Sequence, residues 1–324
     1  MTTRRFLNQF GERENICETF ILGEKQLRQN RNGNLYLQMR LADRTGACNA
    51  MMWNAKETTA ADVENGDYVK IEGSTQLFNG SLQIIVTDIS KVDASEVDED
   101  EFIQVSSEQT EQLTGELTEL LQGMHSQELK DLADCFLSDE AFMKKFTRAP
   151  AAIKNHHAYL GGLLEHVVSL MKLCQKVSAH YPPVDDDQVL FGAFLHDVGK
   201  IDELAYQRDL AYTDEGQLIG HLVMGVSVLQ NKLREYEEKH GKPFPTELSL
   251  RIQHMIVSHH GKYEFGSPKV PMTLEAIMLH YLDDLDAKIN SLHQLMADDA
   301  NLSSQWTPYY ANIGRKLFKG RSPS

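Results

Sequence analysis

The hydrophobic period of this chain changes once, and the change limits the fold to two parts of different class. In NLYLQMRL (Asn34 to Leu41), Leu35, Leu37, Met39 and Leu41 alternate with Tyr36, Gln38 and Arg40. A period of two marks a strand buried on one face. From about Thr110 onward the spacing becomes three and four. LTGELTELLQGM and ELKDLADCFLSDEAFMKKF gather their apolar residues on helical stripes, and no convincing strand pattern follows. A chain of 324 residues is long enough for two such domains with cores of their own.

The first part reads as a small barrel. Asn32-Gly33 ahead of the alternating strand and Asn79-Gly80 between GDYVKIEGSTQLF and SLQIIVTDI are hairpin turn signals. ACNAMMWN supplies another strand, and the polar AKETTAADVENG a short helix or loop before the next. Five strands with a helical insert before the fourth predict an OB-type Greek-key barrel over residues 1–92, a fold whose strand 2–3 face binds single-stranded nucleic acid. Tyr36, Arg40, Trp53 and Phe78 are the candidates for stacking on bases and meeting phosphates; the bland alternative is that these aromatics fill the barrel or dot its surface.

Charge does not decide the partner. The net charge of −15 resides almost wholly in residues 93–140, where 15 Asp/Glu face one Lys; residues 1–92 balance at 11 of each sign. Residues 93–110 within that stretch are expected to be an acidic linker, and 111–324 a helical domain, giving a multidomain α+β chain. The four cysteines are scattered with no C-x-x-C pair, which argues against a zinc ribbon or a disulfide framework. With no apolar run of membrane-spanning length and no apolar stretch in MTTRRFLNQFGEREN, the expected setting is the cytoplasm, without a membrane partner.

Histidines and aspartates recur on apolar helical segments. GGLLEHVVSLMKL carries His166, QVLFGAFLHDVGK carries His196-Asp197, and LIGHLVMGV carries His221. MIVSHHGKYEF adds His259 and His260, and LHYLDDLDAKI adds Asp283, Asp284 and Asp286. One histidine in an apolar helix is usually a hydrogen-bonded core residue. Several such segments are different, because each buried polar group costs several kcal/mol without a shared partner. A divalent cation is the most economical partner of that kind. Imidazole and carboxylate without thiolate suit Mn, Fe, Co, Ni or Zn rather than calcium, and one Asp can bridge two ions about 3.5–4 Å apart.

The order His166, His196-Asp197, His221, His259-His260, Asp283, with separations of 30, 25, 38 and 23 residues (166→196, 196→221, 221→259, 260→283), resembles the HD superfamily of metal-dependent phosphohydrolases. With the barrel in front, and with NHHAYLGGLLEHVV, GAFLHDVGKIDEL, SHHGKYEFGSP and LHYLDDLDAK as phrases, nearly the whole chain resembles the YhaM family of 3'-to-5' exoribonucleases. The resemblance implies two divalent ions, manganese first among those named. His166, His196, Asp197 and Asp283 would hold one. Asp197 as the bridge, with His221 and one or both of His259 and His260, would hold the other. It also implies that Asp197 and Lys200 are catalytic, Lys200 by contacting the scissile phosphate. Which of Asp283, Asp284 and Asp286 is the last ligand stays open, with Asp283 preferred.

The resulting expectation is a metal-dependent exoribonuclease that shortens single-stranded RNA to nucleoside monophosphates; single-stranded DNA as a substrate and self-association stay open. The rivals are an HD phosphohydrolase for small nucleotides and a nucleic-acid-binding protein with a non-catalytic HD site. His156 and His157 stand as candidates for the substrate mouth or a helix start, and Lys262, Tyr263 and Phe265 as RNA contacts or plain loop residues.

Overall fold

The structure is a computed structural model that describes residues 4–78, 81–102, 105–153, 159–206, 211–297, 299, 304–311 and 313–320. Backbone proximity divides the chain into two compact units. One takes the described residues of Met1–Gln104 and Asn290–Ser324, the other those of Val105–Tyr206 and Leu210–Ile289.

Five strands close the barrel of the first unit: β1 Asn15–Gln29, β2 Leu35–Asp43, β3 Gly46–Trp53, β4 Tyr68–Phe78 and β5 Ser81–Val92, with the short helix α1 Glu57–Ala61 between β3 and β4. Their order is β1-β2-β3-β5-β4. The β3–β5 pair is parallel, and β1 pairs antiparallel with β4 to complete the circle. Closure leaves no open sheet edge. The alternation seen in the sequence points inward as expected: Leu37, Met39 and Leu41 are buried with Phe20, Leu22, Val69, Ile71 and Ile84. Each fully buried Leu, Ile or Phe of this kind contributes about 1.5–3 kcal/mol. At Gly73 a bulge shifts the β4–β5 register, and an added Cβ would lie 2.3 Å from the Ile85 carbonyl oxygen, so the barrel bends where no side chain fits. Gly33, at φ +82°, makes the turn between β1 and β2. The Asn79-Gly80 turn lies outside the described residues.

Where a solvated tether is expected, the described part of the acidic run folds onto the barrel. It takes two 3-10 turns, Ala94–Glu96 and Glu99–Glu101, and buries Phe102 against Tyr68, ring centroids 4.8 Å apart. The Arg4 guanidinium lies 4.1 Å over the Phe102 ring and also pairs with Glu101. One buried aromatic and one well-placed arginine are enough to fix a stretch that composition alone marks as disordered.

The second unit is helical: α2 Ser107–Gln122, α3 Gln127–Leu137, α4 Glu140–Phe146, α5 Gly162–Ser178, α6 Asp186–Leu195, α7 Lys200–Glu203, α8 Asp214–Ile219, α9 His221–His240, α10 Thr246–Ser258 and the part of α11 Leu274–Ala297 up to Ile289, with two-residue strands β6 Leu204–Ala205 and β7 Ala211–Tyr212. Ser106, Ser126, Asp139, Asp185 and Thr213 cap five of these helices by accepting a backbone N–H. The core gathers Phe136, Phe142, Phe146, Phe191 and Phe194, mostly edge to face. α6 is buried on every side rather than along one stripe, because Phe191, Gly192 and Leu195 are as hidden as Val189, Leu190, Ala193 and Phe194. It is the central helix, and its C-terminal end carries His196-Asp197. In the first unit, beyond Ala297, the described residues of 304–320 form a small hairpin rather than a further helix, with bridges Trp306–Phe318 and Tyr310–Arg315. Among the described residues no helix is long and apolar enough to cross a membrane.

Candidate metal centre

Helix ends aim the imidazoles. The last carbonyls of an α-helix lack intrahelical partners. His196 caps α6, and its Nδ1 donates to the Ala193 carbonyl at 2.8 Å. His259 caps α10 in the same way, Nδ1 to the Ile256 carbonyl at 2.8 Å. His260 donates from Nδ1 to the Phe265 carbonyl at 2.9 Å, and the Phe265 backbone belongs to the 3-10 turn Tyr263–Phe265. His221, first residue of α9, donates from Nδ1 to Glu203 Oε1 at 2.9 Å, and the same oxygen accepts the His221 N–H. These partners fix the tautomers. A neutral ring that donates through Nδ1 keeps a lone pair on Nε2, so four Nε2 atoms face inward ready to bind a cation.

The donors form two groups around one aspartate. In the first, His166 Nε2 lies 3.2 Å from His196 Nε2 and 3.3 Å from Asp283 Oδ1, and Asp197 Oδ2 lies 3.3 Å from His196 Nε2. In the second, His221 Nε2 lies 3.2 Å from His260 Nε2, and Asp197 Oδ1 lies 3.5 Å from His221 Nε2 and 3.6 Å from His259 Nε2. Asp197 Oδ1 is buried without a hydrogen bond, and the lone pairs of His221 and His260 face each other. A cation satisfies both conditions. Donors held about 2.1 Å from one ion stand about 3.0–3.4 Å apart, close to the separations found here, so the residues present fit divalent ions.

Electrostatics prepare the donors. Burial pushes His259 down to about 4, keeping its ring neutral and lone-paired. Burial also lowers His260, with His221 adding to the effect. Burial works against the Asp197 charge, but Lys200 and His196 outweigh it and hold the carboxyl well below the usual range. His166 differs: burial disfavours its proton, yet Asp283 and Asp286 carry its pKa up to about 9. A cation that takes Asp283 removes much of the reason for that proton.

The structure brings together all seven side chains expected from the sequence as ligands, with Lys200 Nζ 2.6 Å from Asp197 Oδ2. The three aspartates of α11 part company. Asp283 stands with the donors, Asp284 pairs with Lys288 at 2.6 Å, and Asp286 lies 3.6 Å from the Nδ1 side of His166 while accepting from Ser169 Oγ. Asp286, which the sequence offers only as an alternative last ligand, and Glu203, which it does not single out, are partners of the His166 and His221 rings. For Asp286 the signal was available, since positions i and i+3 share a helix face. Glu203 sits in an ordinary polar stretch and offers none. Glu203→Gln, which keeps the shape but weakens the hold on His221, is expected to reduce metal affinity about 10–100-fold with the fold intact, as metal titration against a chelating dye would measure. His156 and His157 lie outside the described residues.

On the barrel, Tyr36 and Trp53 are cross-strand partners with ring centroids 5.4 Å apart, and Trp53 is half exposed. Arg40 stands on the same face of β2, exposed, with Glu24 at 3.7 Å. Phe78 is exposed at the end of β4, away from this pair of strands.

The chain matches two family models, an HD domain over residues 163–288 and an OB-fold nucleic acid binding domain over residues 21–92. HD domains depend on divalent metal, and the His/Asp clusters are of the donor type that such ions take. Curated relatives include the 3'-5' exoribonuclease YhaM of Bacillus subtilis (strain 168), 33% identical over 266 residues that make up 82% of each chain. The protein of the same name in Bacillus licheniformis is 34% identical over 82% of each chain, and that of Bacillus velezensis 32% over 87% of each. With a closed OB barrel, an HD domain and relatives at this level of identity, the chain belongs to the YhaM family of 3'-5' exoribonucleases.

Proposed function

We propose that this protein is a divalent-metal-dependent 3'-to-5' exoribonuclease that shortens single-stranded RNA to nucleoside monophosphates. The observation that carries the reading is the pair of donor groups sharing Asp197, one on each carboxylate oxygen, in a chain of this family. His166, His196, Asp197 and Asp283 are the ligands assigned to one ion, and Asp197, His221, His259 and His260 to the other, with manganese the ion of first choice. When bound, the ions supply Lewis acidity and an activated water for in-line attack on phosphorus. The protein's part is to hold the scissile phosphate beside them. Lys200, adjoining Asp197, is the cation placed to meet charge that develops on the non-bridging oxygens. Strand binding is assigned to residues 1–92, with Tyr36 and Trp53 as the stacking pair and Arg40 for phosphate, and hydrolysis to residues 111–324, the acidic stretch 93–110 lying between.

Incubation of 5'-labelled single-stranded RNA with the protein and Mn²⁺ tests the reading. It requires a ladder of progressively shortened products that a chelator abolishes; hydrolysis of mononucleotides alone, or binding without turnover, would refute it. A parallel DNA substrate measures the preference for ribose. Tyr36→Ala with Trp53→Ala is expected to weaken RNA affinity by about 1–3 kcal/mol for each base that loses its stacking partner, while hydrolysis of a very short substrate falls far less. Equal losses on both substrates would assign the pair to the barrel's stability.

A further inference from the structure

The C-terminal hairpin carries chemistry that neither the barrel nor the metal centre uses. Residues 304–324 contain four basic side chains (Arg315, Lys316, Lys319 and Arg321) and no acidic one, in a chain of net charge −15. Three large aromatics in the same stretch are exposed, Trp306 at 51%, Tyr309 at 61% and Phe318 at 56%. Trp306 and Phe318 are bridge partners with ring centroids 4.9 Å apart and planes tilted by 52°. Arg315 and Lys316 beside them are exposed.

A cross-strand aromatic pair can exist simply to hold a hairpin together. Here the backbone is already held on the other side. Thr307 is buried, its N–H donates to the Leu317 carbonyl and its Oγ1 accepts the Leu317 N–H, both at 2.9 Å. Lys319 N–H donates to the Gln305 carbonyl, its ammonium pairs with Asp299, and Tyr310 OH donates to the Leu295 carbonyl. The two arms are thereby held together, and Trp306 and Phe318 each remain about half exposed.

We infer that the Trp306–Phe318 hairpin, with Tyr309, Arg315 and Lys316, is a second contact for single-stranded RNA, in addition to the β2–β3 face of the barrel. Rings that remain half exposed stack on unpaired bases without regard to sequence, and adjacent guanidinium and ammonium groups follow the phosphates. The occupant is RNA because its charge complements the hairpin and it is the polymer this family acts on; the inference rests on the RNA-degrading function proposed above. A second hold on the strand slows its release between successive cuts.

Trp306 also provides the test, since the chain has only two tryptophans. In the full-length Trp53→Phe protein, emission comes from Trp306 alone. Titration with a phosphorothioate oligouridylate, which resists hydrolysis, should quench that emission along the same curve as the anisotropy of the labelled RNA. Trp306→Ala with Phe318→Ala should lower affinity about 5- to 100-fold. Arg315→Gln with Lys316→Gln, which leaves the aromatic pair untouched, should flatten the salt dependence of binding by up to two phosphate contacts. RNA binding that leaves Trp306 emission unchanged overturns the inference and leaves the proposed function standing. Absence of any RNA binding by anisotropy overturns both. Quenching by vesicles of anionic lipid but not by RNA overturns it in favour of a membrane surface.

Discussion

Asp197→Asn is expected to lose RNA hydrolysis by about a thousandfold or more, with metal content reduced in step. The substitution preserves size and one carbonyl oxygen, but removes the charge that both donor groups share. Asp197 Oδ2 faces His196 and Lys200, and Oδ1 faces His221 and His259, so neither group keeps its anion. Loss of a transition-state contribution of about 4 kcal/mol is a factor of about a thousand in rate. Lys200 would be left largely buried without its partner, and removing one member of a buried pair costs about 3–5 kcal/mol in stability. Circular dichroism therefore accompanies the assay, with His221→Gln as a second variant that leaves the Asp197–Lys200 pair in place. Full activity together with normal metal content in Asp197→Asn would end the two-ion reading.

Gly199→Ala is expected to be nearly as damaging, although Gly199 binds nothing. Its φ of −66° suits any residue, so conformational freedom is not the reason for glycine. Space is. An added Cβ would lie 2.1 Å from the His221 carbonyl oxygen and 2.7 Å from the Gly225 nitrogen. Both are backbone atoms of α9 and cannot turn aside as a side chain would. Either α9 moves, carrying His221 away from Asp197 Oδ1, or the segment bearing His196-Asp197 moves. Overpacking of this kind costs about 3 kcal/mol, which corresponds to a fall in Tm of about 6–12 °C for a domain of this size. The stabilisation by Mn²⁺ expected of the unaltered protein in a thermal melt should also disappear. A variant with unchanged Tm and an undiminished Mn²⁺ shift would show that the Gly199–α9 contact does not set the site.

Some parts of this molecule are legible in its sequence and others are not. The alternation of Leu35 to Leu41 announced a half-buried strand because side chains in a strand have no choice but to alternate faces. The polar residues on apolar segments announced a shared partner because burial has a cost. The acidic run misled by its composition: Phe102 packs against Tyr68 and Arg4, residues far away in sequence. The hairpin at 304–320 was hidden among helical expectations because its ladder is short and its strands are irregular. The need for glycine at position 199 comes from the approach of α9, which no local sequence signal announces.

The division into a barrel and a helical part is legible in the sequence by itself, as is a candidate pool of histidines and aspartates on apolar segments, since hydrophobic period and the cost of buried polar groups act locally. Tertiary structure alone decided how the barrel closes, because β1 and β4 meet through pairs such as Asn15 and Ser74. It also separated Asp283 from Asp284 and Asp286, gave each oxygen of Asp197 its own group, and made Glu203 the partner of His221. The orientation of an imidazole depends on which carbonyl or carboxylate takes its second nitrogen. Some of those acceptors, such as Glu203 and Phe265, come from other turns and helices, where residue spacing carries no information.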